Sequence, residues 1–294
     1  MTAPAKRHPA QTARGWARPH GTAEAGPVFA VSAGQAVLEA VSEGFAGRVE
    51  GVFGKGFYVS GPAEALFAVV GPRCWPGPLH LVVEELAELP SRHDRVNVAG
   101  GVLATDRLQV RLDGCAPWAP RLPRQLCAGA LAWQDLAAWT APELAAVWES
   151  VTLELAAVWE AVTLDLRGDD LAAATRRLQG RGRGLTPTGD DVLAGILLVA
   201  ATDPGRRRAL AGLSRGARTT RLSRAFLKWA ARGQSIQPAH ALLDAAASGD
   251  RIGMHRAAAS LAGVGATSGR ALASGIALAA TELPRRLESR RAAV

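Results

Sequence analysis

The chain has 294 residues, enough for one large or two modest domains, with 48% hydrophobic and 20% charged residues, the composition of an ordinary soluble globular protein. The formal net charge is +8, but Lys6, Lys55 and Lys228 are the only lysines, and the 31 arginines are spread along the chain without a basic stripe interleaved with aromatics, which argues against nucleic acid as a partner. Cys74, Cys115 and Cys127 form no C-x-x-C pair, against a disulfide framework or structural zinc and in keeping with a reducing cytoplasm, and no apolar stretch approaches the ~20 residues needed to span a membrane.

In chain order, the opening "MTAPAKRHPAQTARGWARPHGTAEAGP" lacks an apolar core, so residues 1–27 read as a disordered tail and not a secretory signal. A helix is predicted over Ala33–Phe45. Short Val-, Leu- and Phe-rich runs then follow, namely Arg48–Phe53, Gly56–Gly61, Ala65–Gly71, Leu79–Val83, Val96–Gly100, Gly101–Asp106 and Leu108–Leu112. Gly, Pro and Asp separate them at the spacing of antiparallel sandwiches or barrels. "CAPWAPRLPRQ" (Cys115–Gln125), with three prolines, marks the junction that ends a β-rich domain at residues 28–118.

Residues 119–284 read as helical, with helices predicted over Glu143–Leu166, Asp169–Leu178, Thr188–Ala201, Arg206–Leu213, Thr219–Ala231, Pro238–Ala247, Arg251–Leu261 and Ser268–Ala280, and a basic tail at 285–294. The fold class predicted is α+β: a mainly antiparallel β domain, barrel or sandwich-like, followed by an all-helical C-terminal domain. "ELAAVWESVTL" (Glu143–Leu153) recurs as "ELAAVWEAVTL" (Glu154–Leu164), the sole change being Ser150 to Ala161. Eleven residues make almost three helical turns, so this tandem duplication lengthens a helix while keeping Trp148 and Trp159 on one stripe. It carries no chemistry.

The functional signal is "GRGRGLTPTGDDVLAG" (Gly180–Gly195). Gly180, Gly182 and Gly184 can adopt positive φ and turn successive amides into one concavity before a helix. Thr188 with Asp191 three residues on also matches a helix-capping signature, with Pro187 restraining the turn. Capping needs one carboxylate, and this chain supplies two. Asp190 and Asp191 would largely neutralise the helix end, which favours a ligand with both donors and acceptors over a bare phosphate. In that reading the loop amides with Arg181 or Arg183 take carboxylate or phosphate oxygens, and an Asp accepts from an amide NH2 or holds a hydrated Mg2+. Neither a P-loop nor a dinucleotide fingerprint is present.

Two later segments supply similar groups. Thr219 and Ser223 are helical neighbours in "RTTRLSRAFLKWAARG", where Thr219 also serves as a plain cap. In "GVGATSGRALASG", glycines surround Thr267 and Ser268 before another helix, an arrangement that close helix packing explains as well as a ligand does. His8, His20, His80, His93, His240 and His255 show no ligand spacing.

At Gly180–Asp191 the chain resembles the AllH-like family of bacterial proteins, whose named member is a subunit of oxamate carbamoyltransferase in anaerobic allantoin and purine degradation. The residues that carry the likeness are Gly180, Gly182, Gly184, Leu185, Thr186, Pro187, Thr188, Gly189, Asp190 and Asp191, followed in family order by Thr219, Thr220 and Ser223 and by Thr267, Ser268 and Gly269. The chain departs from it at Ala266 and Ala271, where the family has His and Asp. The resemblance implies phosphorolysis of oxalurate to oxamate and carbamoyl phosphate, performed with other transferase subunits. It makes Asp190 and Asp191 the candidate catalytic residues and the other named side chains and glycines the candidate ligand-binding set, in a cytoplasmic protein. The alternative is a non-catalytic subunit of a related assembly that binds a small carboxylate or phosphate, or serves as a scaffold.

Overall fold

The computed structural model describes residues 27–41, 44–123, 133–138 and 154–283. Both predicted tails, Cys127, Trp148 and the first copy of the duplication lie outside them. An N-terminal β region is followed by a helical region, the α+β class expected.

The β region comprises β1 (Val28–Gly34), β2 (Phe45–Phe53), β3 (Gly56–Ser60), β4 (Leu66–Val70), β5 (His80–Val83), β6 (Arg95–Ala99), β7 (Val102–Ala104), β8 (Gln109–Arg111) and β9 (Ala116–Trp118), with α1 (Gln35–Val41) after β1. Eight strands run β5-β4-β3-β2-β6-β7-β8-β1, and β1 pairs back onto β5 to close a barrel. Closure removes the free edges an open sheet would expose. Most pairings are antiparallel; β4–β5, β1–β8 and β1–β9 are parallel.

Period-two alternation fills the barrel, with Phe45, Val49, Phe57, Val59, Phe67, Val69, Leu81 and Val83 turned into one core. β4 breaks the alternation, and all five of its residues are buried. Phe67 and Val69 face the barrel interior, while Ala68 and Val70 join Val82 in a second cluster beneath Phe53, Tyr58 and Cys74. A continuous apolar strand needs cover on both faces, and here the outer cover is the wall of a cleft. The segment predicted as a bare junction contains β9, which continues the edge of β1 beyond the end of β8.

The helices are a stretch over residues 133–138 (α2), α3 (Glu154–Arg167), α4 (Leu171–Leu178), α5 (Thr188–Ala200), α6 (Arg207–Gly216), α7 (Arg221–Ala230), α8 (Gln237–Ser248), α9 (Arg251–Ala262) and α10 (Ser268–Glu282). Their positions follow the apolar periodicity closely. Trp159, from the second duplicated copy, packs partly buried against the helical core. α5 is apolar around its whole circumference, so it runs through the centre with every residue buried except Asp191. It lies against α10, where Gly195 and Gly275 let the two backbones meet.

Specific bonds hold the barrel on the helices. Arg221 of α7 pairs with Glu50 at 3.1 Å and donates to the Ala65 carbonyl at 3.2 Å. The Trp118 indole donates to the Ser235 carbonyl, and the Gln237 amide to the Pro76 carbonyl. These contacts align the β3–β5 wall with α5, α7 and α10. Among the described residues no helix is long and apolar enough to cross a membrane.

Candidate functional site

The glycine stretch folds back over the start of α5. Gly180, Gly182 and Gly184 have φ of 70°, 111° and 94°, the left-handed region that favours glycine. At Gly182 a side chain would also crowd the Thr188 nitrogen, 2.7 Å from an added Cβ. Part of the loop closes on the protein itself. The Gly189 amide donates to the Arg181 carbonyl at 2.8 Å, and the Gly180 amide donates to Asp190 Oδ1 at 2.7 Å. The Thr219 hydroxyl donates to Asp190 Oδ2. Asp190 is only 2% exposed, so it clamps three segments together: the glycine loop, α5 and the approach to α7.

Helix capping differs from the motif reading. Pro187 precedes α5 and no side chain caps it, so Thr188 and Asp191 form no capping box. Thr220, not Thr219, caps α7, accepting from the Ser223 amide at 3.1 Å while its hydroxyl donates to the Leu185 carbonyl. Freed from capping, Asp190 has become a buried acceptor. Asp190→Ala strands the Gly180 amide and the Thr219 hydroxyl, and a loss of about 3 kcal/mol is expected in a denaturation midpoint series. An unchanged midpoint would contradict the clamp.

One residue on, helical rotation turns Asp191 away from that clamp and toward a cavity of about 390 Å³ between barrel and helices. Asp191 Oδ2 is buried without a hydrogen-bond partner among the described residues. The Thr186 and Ser268 hydroxyls, 3.1 Å apart, line the same space, as do Gly269 and the buried, unpartnered Oε1 of Gln234. The opposite wall comes from the barrel: Lys55 on the β2–β3 turn, Tyr58, the Arg73–Trp75 loop and His80. Lys55 and Arg73 are exposed and mark the solvent end.

Burial pushes the Asp191 carboxyl up to about 7, with the Asp190 charge adding to the rise and a hydrogen bond with Ser268 opposing it. Burial raises the Tyr58 phenol, and the Asp191 charge raises it further. Burial likewise lowers His80, whose Nδ1–H donates to the Trp75 carbonyl at 2.8 Å. That bond fixes the tautomer and leaves Nε2 as an acceptor. His240 accepts the Ser235 amide at Nε2 and is pushed down to about 4 by burial, bracing the segment that carries Gln234.

These shifts have opposite signs in stability. Between about pH 4 and 7 the folded chain keeps the Asp191 proton that the unfolded chain has lost, so this group makes stability fall as pH rises. Between about pH 4 and 6.5 the unfolded chain protonates His240 while the folded chain does not, so that group makes stability rise with pH, and His80 acts in the same direction. Asp191→Asn removes the falling contribution. Its melting temperature is expected to climb more steeply than the native protein's from pH 4.5 to 6.5 in a pH series.

Of the residues singled out from the sequence, Asp191, Thr186, Ser268 and Gly269 line the cavity. Asp190 and Thr219 stand behind it as the clamp. Gly182, Gly184, Thr188, Gly189, Thr220, Ser223 and Thr267 are not among its lining residues, and neither are Arg181 and Arg183. Arg181 Nε instead donates to the Arg177 carbonyl. Ala266 is exposed, whereas Ala271 is fully buried in α10. The motif reading missed Lys55, Arg73, His80 and Gln234. No spacing marks His80, because its fixed partner is a backbone carbonyl.

Both Asp190 oxygens are committed, and the described residues contain no group of three or more His, Cys, Asp or Glu side chains placed to hold a metal.

A family model described as oxamate carbamoyltransferase subunit AllH matches residues 178–280, from the end of α4 through most of α10. The resemblance carried by the glycine motif is thus shown over this segment. No curated protein and no solved structure matches the chain.

Proposed function

We propose that this chain, matching the AllH model over residues 178–280, is a cytoplasmic subunit of a carbamoyltransferase-type assembly whose cleft holds a small carboxylate and carbamoyl compound. The reaction that fits is oxalurate with phosphate giving oxamate and carbamoyl phosphate, carried out with other transferase subunits. The observation that carries this reading is the Asp191 carboxylate, opened on the cavity with Oδ2 unpartnered and Ser268 beside it.

A carbamoyl NH2 donates to Asp191 Oδ2, while Lys55 and Arg73 at the solvent end take the carboxylate or phosphate oxygens. In phosphorolysis a phosphate oxygen bonds to the carbamoyl carbon, the bond from that carbon to the oxamate nitrogen breaks, and the nitrogen gains a proton. The proton lost by the attacking hydrogen phosphate balances the one the leaving nitrogen gains, while Asp191 holds the carbamoyl NH2 in place.

Calorimetric titration of the full chain with oxamate tests the binding half. Saturable binding is expected, and each of Lys55→Ala and Arg73→Ala should weaken it by about tenfold, the loss of one charge-assisted hydrogen bond. No binding to the native chain, or binding indifferent to both substitutions, overturns the reading.

A further inference from the structure

The cavity of about 390 Å³ falls in the size range of pockets that enclose whole drug-sized ligands. A compound as small as oxamate fills only part of it. The remaining walls are largely apolar and aromatic, with Trp75 from the barrel loop and Phe226 from α7 lining the same space. Phe226 is held edge-on to the fixed His80 ring, with centroids 6.4 Å apart. Such walls suit the faces of a planar ring.

The interior also holds the Tyr58, Thr186 and Ser268 hydroxyls, but its buried polar atoms without a partner among the described residues are acceptors. Asp191 Oδ2 and Gln234 Oε1 are buried and unpartnered, and His80 keeps a lone pair at Nε2 once Nδ1–H is given to the Trp75 carbonyl. They come from three different segments, α5, the α7–α8 connection and the start of β5. A ligand that satisfies them brings N–H donors into the interior. Lys55 and Arg73, at the open end, suit an anionic group on the far side of the same molecule.

From the aromatic walls, the interior acceptors and the cationic rim of one cavity, we infer that the cleft binds a purine mononucleotide through a donor-bearing base edge, with its phosphate at Lys55 and Arg73. Guanine fits this interior better than adenine, because its ring N–H and exocyclic NH2 are adjacent donors, whereas adenine sets an acceptor beside its amino group. The nucleotide would use the same Asp191 acceptor and the same cationic rim as the carbamoyl compound proposed above, so the two are competing occupants of one cleft and each is tested with its own titrant.

The test is calorimetry on the full chain near pH 8 with guanosine monophosphate, adenosine monophosphate, inorganic phosphate and oxamate as separate titrants. Guanosine monophosphate is expected to bind at least tenfold more tightly than adenosine monophosphate, with no saturable heat from phosphate alone. Trp75→Ala, at an exposed position, should weaken guanosine monophosphate by tenfold or more through lost stacking. Asp191→Asn should erase the preference between the two nucleotides. No binding of guanosine monophosphate, or equal affinity for both nucleotides in the native chain, overturns the inference. Nucleotide binding without oxamate binding leaves it standing while the carbamoyl reading falls. Oxamate binding without nucleotide binding does the reverse.

Discussion

Gly275→Ala is expected to cost about 3 kcal/mol or more of stability, although alanine is intrinsically the better helix former by about 1 kcal/mol. The reason is where α10 crosses α5. A Cβ on Gly275 would collide with the Val192 carbonyl oxygen and lie 2.8 Å from its carbon, both backbone atoms of the central helix. A flexible side chain could swing aside, but a buried helix backbone cannot without opening the core. Gly195 makes the reciprocal approach, where an added Cβ would sit 2.7 Å from the Ile276 nitrogen. Gly212→Ala in α6 is the control, because nothing lies within 4 Å of the added methyl. That change should stabilise by about 0.5–1 kcal/mol. Urea midpoints of the two variants should therefore move in opposite directions. A mild effect at Gly275 would mean that the α5–α10 crossing is looser than described.

Asp191→Asn is the second large expected effect, and its sign separates a binding residue from a structural one. Above pH 7 the native chain holds a largely buried carboxylate whose titration is pushed up to about 7. Relief of that charge should raise stability by about 2 kcal/mol, after discounting for the part of the side chain that still meets solvent. For a chain of 294 residues that is roughly 3 °C in melting temperature. The same substitution offers an NH2 where the ligand's own NH2 would arrive, so oxamate affinity should fall by about tenfold or more. Asp190→Ala should lose stability instead. A destabilised Asp191→Asn with normal ligand binding would assign Asp191 to the fold. The neighbouring carboxylates are thus expected to respond in opposite ways, although they are chemically identical and adjacent in sequence.

Why that difference was hidden in the sequence is a matter of direction. "TGDD" supplies two acids at a helix start, and either could cap, clamp or bind a ligand. Successive helical positions differ by about 100°, so what each acid meets depends on what packs at that angle. Gly180 and Thr219 meet Asp190, and the cavity meets Asp191. Likewise, Thr219 is the cap expected from the sequence, and only the path of the chain assigns capping to Thr220.

Much of the architecture was legible because it depends on local periodicity. The helical stripes predicted α4 through α10 to within a few residues, and alternation separated by Gly, Pro and Asp predicted β2 through β8. β1 and β9 were missed. β1 runs directly into α1, and "APW" carries a proline that weakens its strand signal. The unbroken apolar run of β4 was legible as a strand, but its burial on both faces and the helical wall across from it emerge only in the structure.

The sequence by itself determined the two-part α+β order, the barrel-forming alternation, the central apolar helix and the motif that singles out the start of α5. Those properties depend on residues close together along the chain, where backbone geometry sets the spacing. Tertiary structure alone decided that Lys55, Arg73 and His80 stand across a cavity from Asp191, more than 100 residues away. Their juxtaposition depends on barrel closure and on the Arg221, Trp118 and Gln237 bonds that seat the barrel on the helices. Such long-range contacts have no period to leave in the sequence.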